Sequence, residues 1–280
     1  MIPKVIIFYC FVAFVSTASG TVLRIAGGEN AKPGQYPYYV SLYYKEIFGE
    51  NVDSFCGGAI LNHQWIITAA YCIYSVNNID DIFIKVGSIN YRKYSVTEQI
   101  SKITTSFAHP EYSSPAGPYD IGVMKVEIPF VFNEFVAPIN LPKPETIPTG
   151  SGTVTGLGFL KYIIEPYLPD SLQAVTLPII NNDECQTLIE ELLGDNANEL
   201  NLLDKLRFCS GPTKKNQGYC LNDTGDPFTT KENGKDVLIG IATFGFAADC
   251  KTPGVPSIYT RVSAFNDWIQ ESISTNANDK

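Results

Sequence analysis

Positive charge is in short supply in this chain. It has 20 Lys and Arg against 29 Asp and Glu, a net charge of −9 over 280 residues. A surface of that sign repels phosphate backbones and anionic lipid headgroups, which argues against nucleic acid and membrane surfaces as partners. A long helical pattern is missing too, and so are internal repeats and low-complexity blocks, which excludes a helix bundle and a solenoid. No stretch after the first residues is apolar for the roughly 20 positions that a membrane span requires.

What is present is a globular composition, 45% hydrophobic and 18% charged. Short runs rich in Val, Ile, Tyr and Phe recur between turn signals: Tyr38 to Tyr44, Trp65 to Ala69, Ile82 to Val86, Ile121 to Val126 and Val237 to Phe244. That rhythm predicts an all-β protein, a barrel or a sandwich. The Pro-rich stretch Pro138 to Pro148 suits a crossing between two halves. Two helices are predicted. Asn181-Asn182-Asp183-Glu184 opens one with a capping-box pattern, running from Cys185 to Leu193 and stopping at Gly194; the other covers Ser263 to Ile273. The tail 275–280 is expected to fray. Glu190 to Asp204 is an acidic stretch, best read as a solvated face.

The N-terminus has the pattern of a signal peptide over 1–20. Lys4 gives the positive start, Val5 to Val15 the apolar run, and Ser16-Thr17-Ala18-Ser19-Gly20 the small residues for cleavage. The expected localisation is therefore secreted and extracellular, where disulfides form. Of seven cysteines, Cys10 lies in the leader, which leaves Cys56, Cys72, Cys185, Cys209, Cys220 and Cys250 for three bridges. Spacing alone leaves all of the roughly 15 pairings open.

Six segments in register resemble the chymotrypsin/trypsin family of serine proteases. They are Arg24-Ile25-Ala26-Gly27-Gly28, Cys56-Gly57-Gly58-Ala59-Ile60, Trp65 to Cys72, Tyr119 to Val123, Cys220-Leu221-Asn222-Asp223-Thr224-Gly225-Asp226-Pro227, and Ile258 to Val262 with the helix carrying Trp268. The resemblance implies two Greek-key β-barrels, about 25–137 and 138–262, with the cleft between them, a helix at 263–273, and a domain spanning 25–274. It implies the pairings Cys56–Cys72, Cys185–Cys209 and Cys220–Cys250, and a short activation peptide at 21–24 ended by cleavage between Arg24 and Ile25. The freed Ile25 amine would then pair with Asp223.

The resemblance also locates a triad, and the residues there are unusual. Asp120 matches the carboxylate. Tyr71 stands at the histidine's place and Thr224 at the serine's. A phenol ionises near pH 10, an imidazole near 6.5, so Tyr71 is expected to donate a hydrogen bond to Asp120 rather than to act as a base. Neither His63 nor His109 offers a substitute, both being expected in solvated loops. Threonine needs an adjacent base to attack. The oxyanion loop at Asn222, Asp223 and Thr224 has changed as well: Asn222 and Asp226 replace glycines, so the freedom to adopt positive φ is lost at Asn222 while its N–H can still donate, and Asp226 adds negative charge. The specificity pocket would use Gly218, Tyr219, Thr243, Phe244, Gly245 and Ser257, with Gly218 where trypsins keep an aspartate. Asn222-Asp223-Thr224 is also a glycosylation sequon.

Losing a triad costs about a millionfold in turnover. The expectation is accordingly a pseudoprotease: not an enzyme, without cofactor or metal, acting by protein binding. Among such proteins the chain is similar to the scabies-mite inactivated protease paralogues, relatives of the group 3 mite allergens. That similarity implies extracellular protein partners such as host complement components. The alternatives are a weak digestive endopeptidase and a decoy for protease inhibitors.

Overall fold

A computed structural model describes residues 28–44, 54–90, 93–114, 116–158, 170–194, 205–211, 223–245 and 255–276. Its strands are β1 (Glu29–Asn30), β2 (Tyr39–Tyr44), β3 (Ser54–Ile60), β4 (Trp65–Thr68), β5 (Ile82–Val86), β6 (Gln99–Ala108), β7 (Gly122–Val126), β8 (Ser151–Gly156), β9 (Gln173–Ile180), β10 (Arg207–Ser210), β11 (Pro227–Glu232), β12 (Lys235–Gly245) and β13 (Ser257–Arg261). Three helices join them: α1 (Ala70–Tyr74), α2 (Asn182–Leu193) and α3 (Asn266–Thr275).

Strands β2-β3-β4-β7-β6-β5 close into one barrel. Strands β8, β9, β10, β13, β12 and β11 close into a second through the β8–β9 pairing, all antiparallel. This is the two-barrel, trypsin-like architecture. Strand β1 departs from the expected division, because it pairs with β9 of the second barrel (Glu29 opposite Ala174) although it precedes the first in sequence. Two residues that cannot close a barrel of their own still satisfy their backbone groups on an available edge.

Local patterns explain the elements. In β5, Ile82, Ile84 and Val86 are buried while Phe83 and Lys85 are partly exposed, the period-two pattern of a strand with one face inward. Strand β7 is buried along its whole length. Its outer side is covered by α3, whose end is tied down where the Lys125 ammonium donates to the Asn276 carbonyl at 3.1 Å. Helix α2 starts where the Asn181 side chain accepts from the Glu184 N–H at 2.7 Å, and it stops at Gly194, whose positive φ of 57° favours glycine. Helix α3 begins three residues later than the sequence suggests, since Val262–Ala264 forms a 3-10 turn first.

One core runs across both barrels. Leu238, Ile241, Val262, Phe265 and Ile269 of the C-terminal half pack with Leu42, Ile60, Ile67, Ile121 and Met124 of the N-terminal half. The 138–148 stretch fastens them together: the Ile139 N–H donates to the Ile60 carbonyl, and the Leu238 N–H donates to the Asn140 carbonyl, each at 2.9 Å.

Two disulfides are formed among the described residues, Cys56–Cys72 and Cys185–Cys209. Cys220 and Cys250 lie outside them. The first bridge pins α1 to β3 across a separation of 16 residues. Replacing both Cys56 and Cys72 with alanine is expected to destabilise the fold by about 2–4 kcal/mol. Thermal unfolding would show this as a drop of several degrees, whereas an unchanged midpoint would mean the bridge constrains nothing.

Candidate active site

The cleft is built where α1, the loop before β7 and the turn before β11 meet. Helix α1 has no side-chain cap at Ala69; its open N-terminal amides point instead at Asp120. The Tyr71 N–H donates to Asp120 Oδ1 at 2.8 Å. Thr260 of the second barrel donates its hydroxyl to the Asp120 carbonyl at 2.9 Å, fixing that loop from the other side. The turn at 223–226 comes in against β3: the Gly57 N–H donates to the Thr224 carbonyl at 2.9 Å, and Cys72 Sγ lies 3.5 Å from the same oxygen. Gly225 between them has φ of 88°, and a Cβ there would overlap the Gly57 carbonyl. Tyr71, Asp120 and Thr224 are thus brought together.

Their chemistry differs from the expectation in one respect. The Tyr71 phenol does not close onto Asp120. The ring is 39% exposed, and Asp120 Oδ2 is buried without a hydrogen-bond donor among the described residues. The backbone amides of Tyr71 and Ala70 face the carboxylate instead. Burial pushes the Asp120 carboxyl from 3.8 up to about 7, with the amides of Tyr71 and Ala70 opposing that rise. The Thr224 hydroxyl donates to the Thr243 carbonyl at 3.3 Å, so it rests on the floor of the cleft, on β12.

Asp226 is corrected more sharply. It was expected to bring negative charge toward an oxyanion, but it is fully buried and turned into the seam between the barrels. Tyr39 of β2 donates its hydroxyl to Asp226 Oδ1 at 3.1 Å. Burial, then the charge of neighbouring Asp223 and a hydrogen bond with it, holds the Asp226 proton on well above the ordinary carboxylate range. Asp223 accepts from the Gly158 N–H at 2.6 Å. Three missing side chains make room for the two acids. A Cβ at Gly57 or Gly156 would overlap Asp226, and one at Gly158 would overlap Asp223.

Of the expected specificity pocket, Thr243, Phe244 and Gly245 lie on β12 and Ser257 on β13, where Gly245 pairs with Ser257 across a register shift. Thr243 and Ser257 are buried. Gly218, Tyr219 and Asn222 fall outside the described residues, as do Arg24 and Ile25, so the Ile25 side of its pairing with Asp223 and the asparagine of the sequon lie outside them. The two histidines divide. His63 is exposed, its ring stacked on Phe132 and its Nδ1 2.8 Å from the Phe130 carbonyl. His109 is not a solvated loop residue: it is buried beside Tyr119, Phe265 and Trp268, and burial lowers its pKa. Its Nδ1 accepts the Glu111 N–H at 3.2 Å, so it organises the turn under α3. Among the described residues no three His, Cys, Asp or Glu side chains form a group that could hold a metal ion.

The family model for trypsin matches residues 25–269. The chain belongs to the trypsin family. Serine proteinase stubble of Drosophila melanogaster is 33% identical over 265 residues, covering 92% of this chain and 32% of that protein. Coagulation factor IX of Oryctolagus cuniculus is 30% identical over 259 residues, covering 90% of this chain and 86% of that one. The chain thus spans about a third of Stubble and most of factor IX.

Membership overturns the expectation that this trypsin-family chain is not an enzyme, since the relatives it matches include one named a serine proteinase. The sequence argument treated histidine as the one group able to take a proton near neutral pH. The fold supplies another, because buried Asp120 titrates near 7.

The raised Asp120 pKa has a defined consequence for stability. The folded state keeps a proton that the unfolded chain releases near pH 3.8. The contribution of this group is therefore fully present below about pH 4 and is lost as pH rises through about 7. At about 1.4 kcal/mol for each pH unit, the loss is on the order of 4 kcal/mol. Asp120→Asn keeps an acceptor for the Tyr71 amide and removes the titration. The melting temperature of the unaltered chain should fall more between pH 4 and pH 8 than that of Asp120→Asn. Parallel curves would contradict the assignment.

Proposed function

We propose that this trypsin-family chain is a secreted protein that engages an extracellular polypeptide in the cleft between its barrels and acts on an extracellular protease cascade, host complement being the cascade to test. The observation that carries this reading is the cleft itself. Tyr71, Asp120 and Thr224 are brought together by hydrogen bonds from both barrels, the Gly57 amide donating to Thr224 and the Thr260 hydroxyl to Asp120, so a partly exposed face persists between them. The relative named as a coagulation factor supports an extracellular cascade as the setting. The disulfides support an oxidising compartment. No helix among the described residues is long and apolar enough to cross a membrane.

The test adds the purified full chain to serum and follows complement-dependent lysis, with capture of complement components on the immobilised chain. Dose-dependent loss of lysis with one component retained is the expected result. Unchanged lysis with no component retained would sink the reading.

A second reading, a slow endopeptidase, is favoured by the near-neutral carboxyl of Asp120. Here Thr224 Oγ1 attacks the peptide carbonyl carbon while its proton passes through a water to Asp120, that proton goes to the departing amine as the C–N bond breaks, and a second water then hydrolyses the acyl ester on Thr224, releasing the acid and restoring the hydroxyl. Hydrolysis of fluorogenic peptides should rise with pH through a midpoint of about 7 and fall at least about tenfold in Asp120→Asn and Thr224→Val. Equal rates in those variants would exclude this route.

A further inference from the structure

Helix α1 sets two tyrosines on the cleft rim, and neighbouring segments add more rings beside them. Tyr71 and Tyr74 are 39% and 64% exposed, three residues apart and hence on one helical face. Tyr74 stacks on Tyr112, with ring centroids 5.4 Å apart. Tyr44 stacks on Phe55 at 4.1 Å, and its hydroxyl reaches the carbonyl of Ser75, the residue that closes α1. The Tyr112 hydroxyl has its pKa raised by burial, then by its neighbours Asp120, Tyr71 and Tyr74, which joins it to the same group. The stacked pairs Phe55–Tyr44 and Tyr74–Tyr112 therefore meet at α1, where Tyr71 also stands, and together make a belt along the first-barrel wall of the cleft.

Isolated exposed rings are ordinary on soluble proteins; contiguous ones mark a surface meant to be covered. Tyrosine is well suited to such a surface, since it brings large contact area at low entropic cost together with a polar tip. The exposed charge on the segments that carry Tyr71, Tyr74 and Tyr112 has one sign. Segments 70–82 and 109–121 contain the exposed acids Asp80, Asp81 and Glu111 and no lysine or arginine. Aromatic faces are negative as well and attract guanidinium and ammonium groups. We propose that the belt is a docking surface for an arginine- or lysine-bearing stretch of an extracellular polypeptide. The proposal rests on the cleft reading above for its setting and adds the chemistry of the partner. The site lies on α1 and the first barrel, away from the pocket residues on β12 and β13.

The test is fluorescence anisotropy of two labelled peptides of equal length, alternating Arg-Gly and alternating Glu-Gly, titrated with the full chain. The Arg-Gly peptide should bind, and the Glu-Gly peptide should not. Tyr74→Ala and Tyr112→Ala should each weaken binding about fivefold or more, as loss of a cation–π partner predicts, while Tyr74→Phe keeps the ring and the affinity. Tyr94→Ala, at an 80% exposed ring outside the belt, should bind like the unaltered chain and so controls for diffuse attraction to the net charge. Equal binding of the two peptides, or undiminished binding by Tyr74→Ala, would overturn the proposal. The two readings fail separately. A complement component retained equally by the unaltered chain and by Tyr74→Ala rejects the belt and leaves the cleft reading. Arg-Gly binding that depends on Tyr74, with no component retained, does the reverse.

Discussion

The hydrogen bond from the Gly57 amide to the Thr224 carbonyl sets the distance between the two barrels, and the cleft depends on that distance. Strand β3 and the 223–226 turn approach so closely that neither Gly57 nor Gly225 has space for a methyl group. The same approach brings Cys72 against Thr224, and with Cys72 comes α1. Tyr71 and Tyr74 then have their positions decided by a disulfide and a backbone contact rather than by their own side chains. A cleft fixed in this manner tolerates substitution at the positions that face it.

The seam also holds three buried acids. Asp120, Asp223 and Asp226 are all nearly or wholly inaccessible, and such groups need either partners or protons. Asp120 receives the amides of Tyr71 and Ala70, Asp223 that of Gly158, and Asp226 a tyrosine hydroxyl. Those partners do not fully replace water, so Asp120 and Asp226 hold protons more tightly than exposed carboxyls do. Stability and the cleft are coupled through these groups: whatever ionises Asp120 also weakens the seam.

Much of the fold was legible in the sequence because its signals are local. Ile82 to Val86 shows strand alternation over five residues, Asn181 caps α2 three residues before Glu184, and six motifs recur in order. The pairing of β1 with the second barrel was not legible, as Glu29 and Asn30 carry no periodicity. At the site, sequence placed Tyr71, Asp120 and Thr224 together but could not give the direction of a side chain. It therefore aimed the phenol at Asp120 and Asp226 at the cleft, and both point elsewhere. His109 looked solvated beside Pro110 and Glu111, yet rings from Tyr119, Phe265 and Trp268 bury it. The tyrosine belt was hidden for the same reason, since Tyr44, Tyr74 and Tyr112 meet only after folding.

A trypsin-family scaffold with a rigid seam, a near-neutral buried carboxyl and an aromatic, acidic wall fits a protein that holds a polypeptide at the cleft. Amide hydrogen exchange of the full chain, with and without saturating Arg-Gly peptide, tests that location most directly. The account predicts slowed exchange in α1, in 109–121 and in the 223–226 turn, with α2 and α3 unchanged. Slowed exchange confined to α2 or α3, with the cleft segments unaffected, would contradict it.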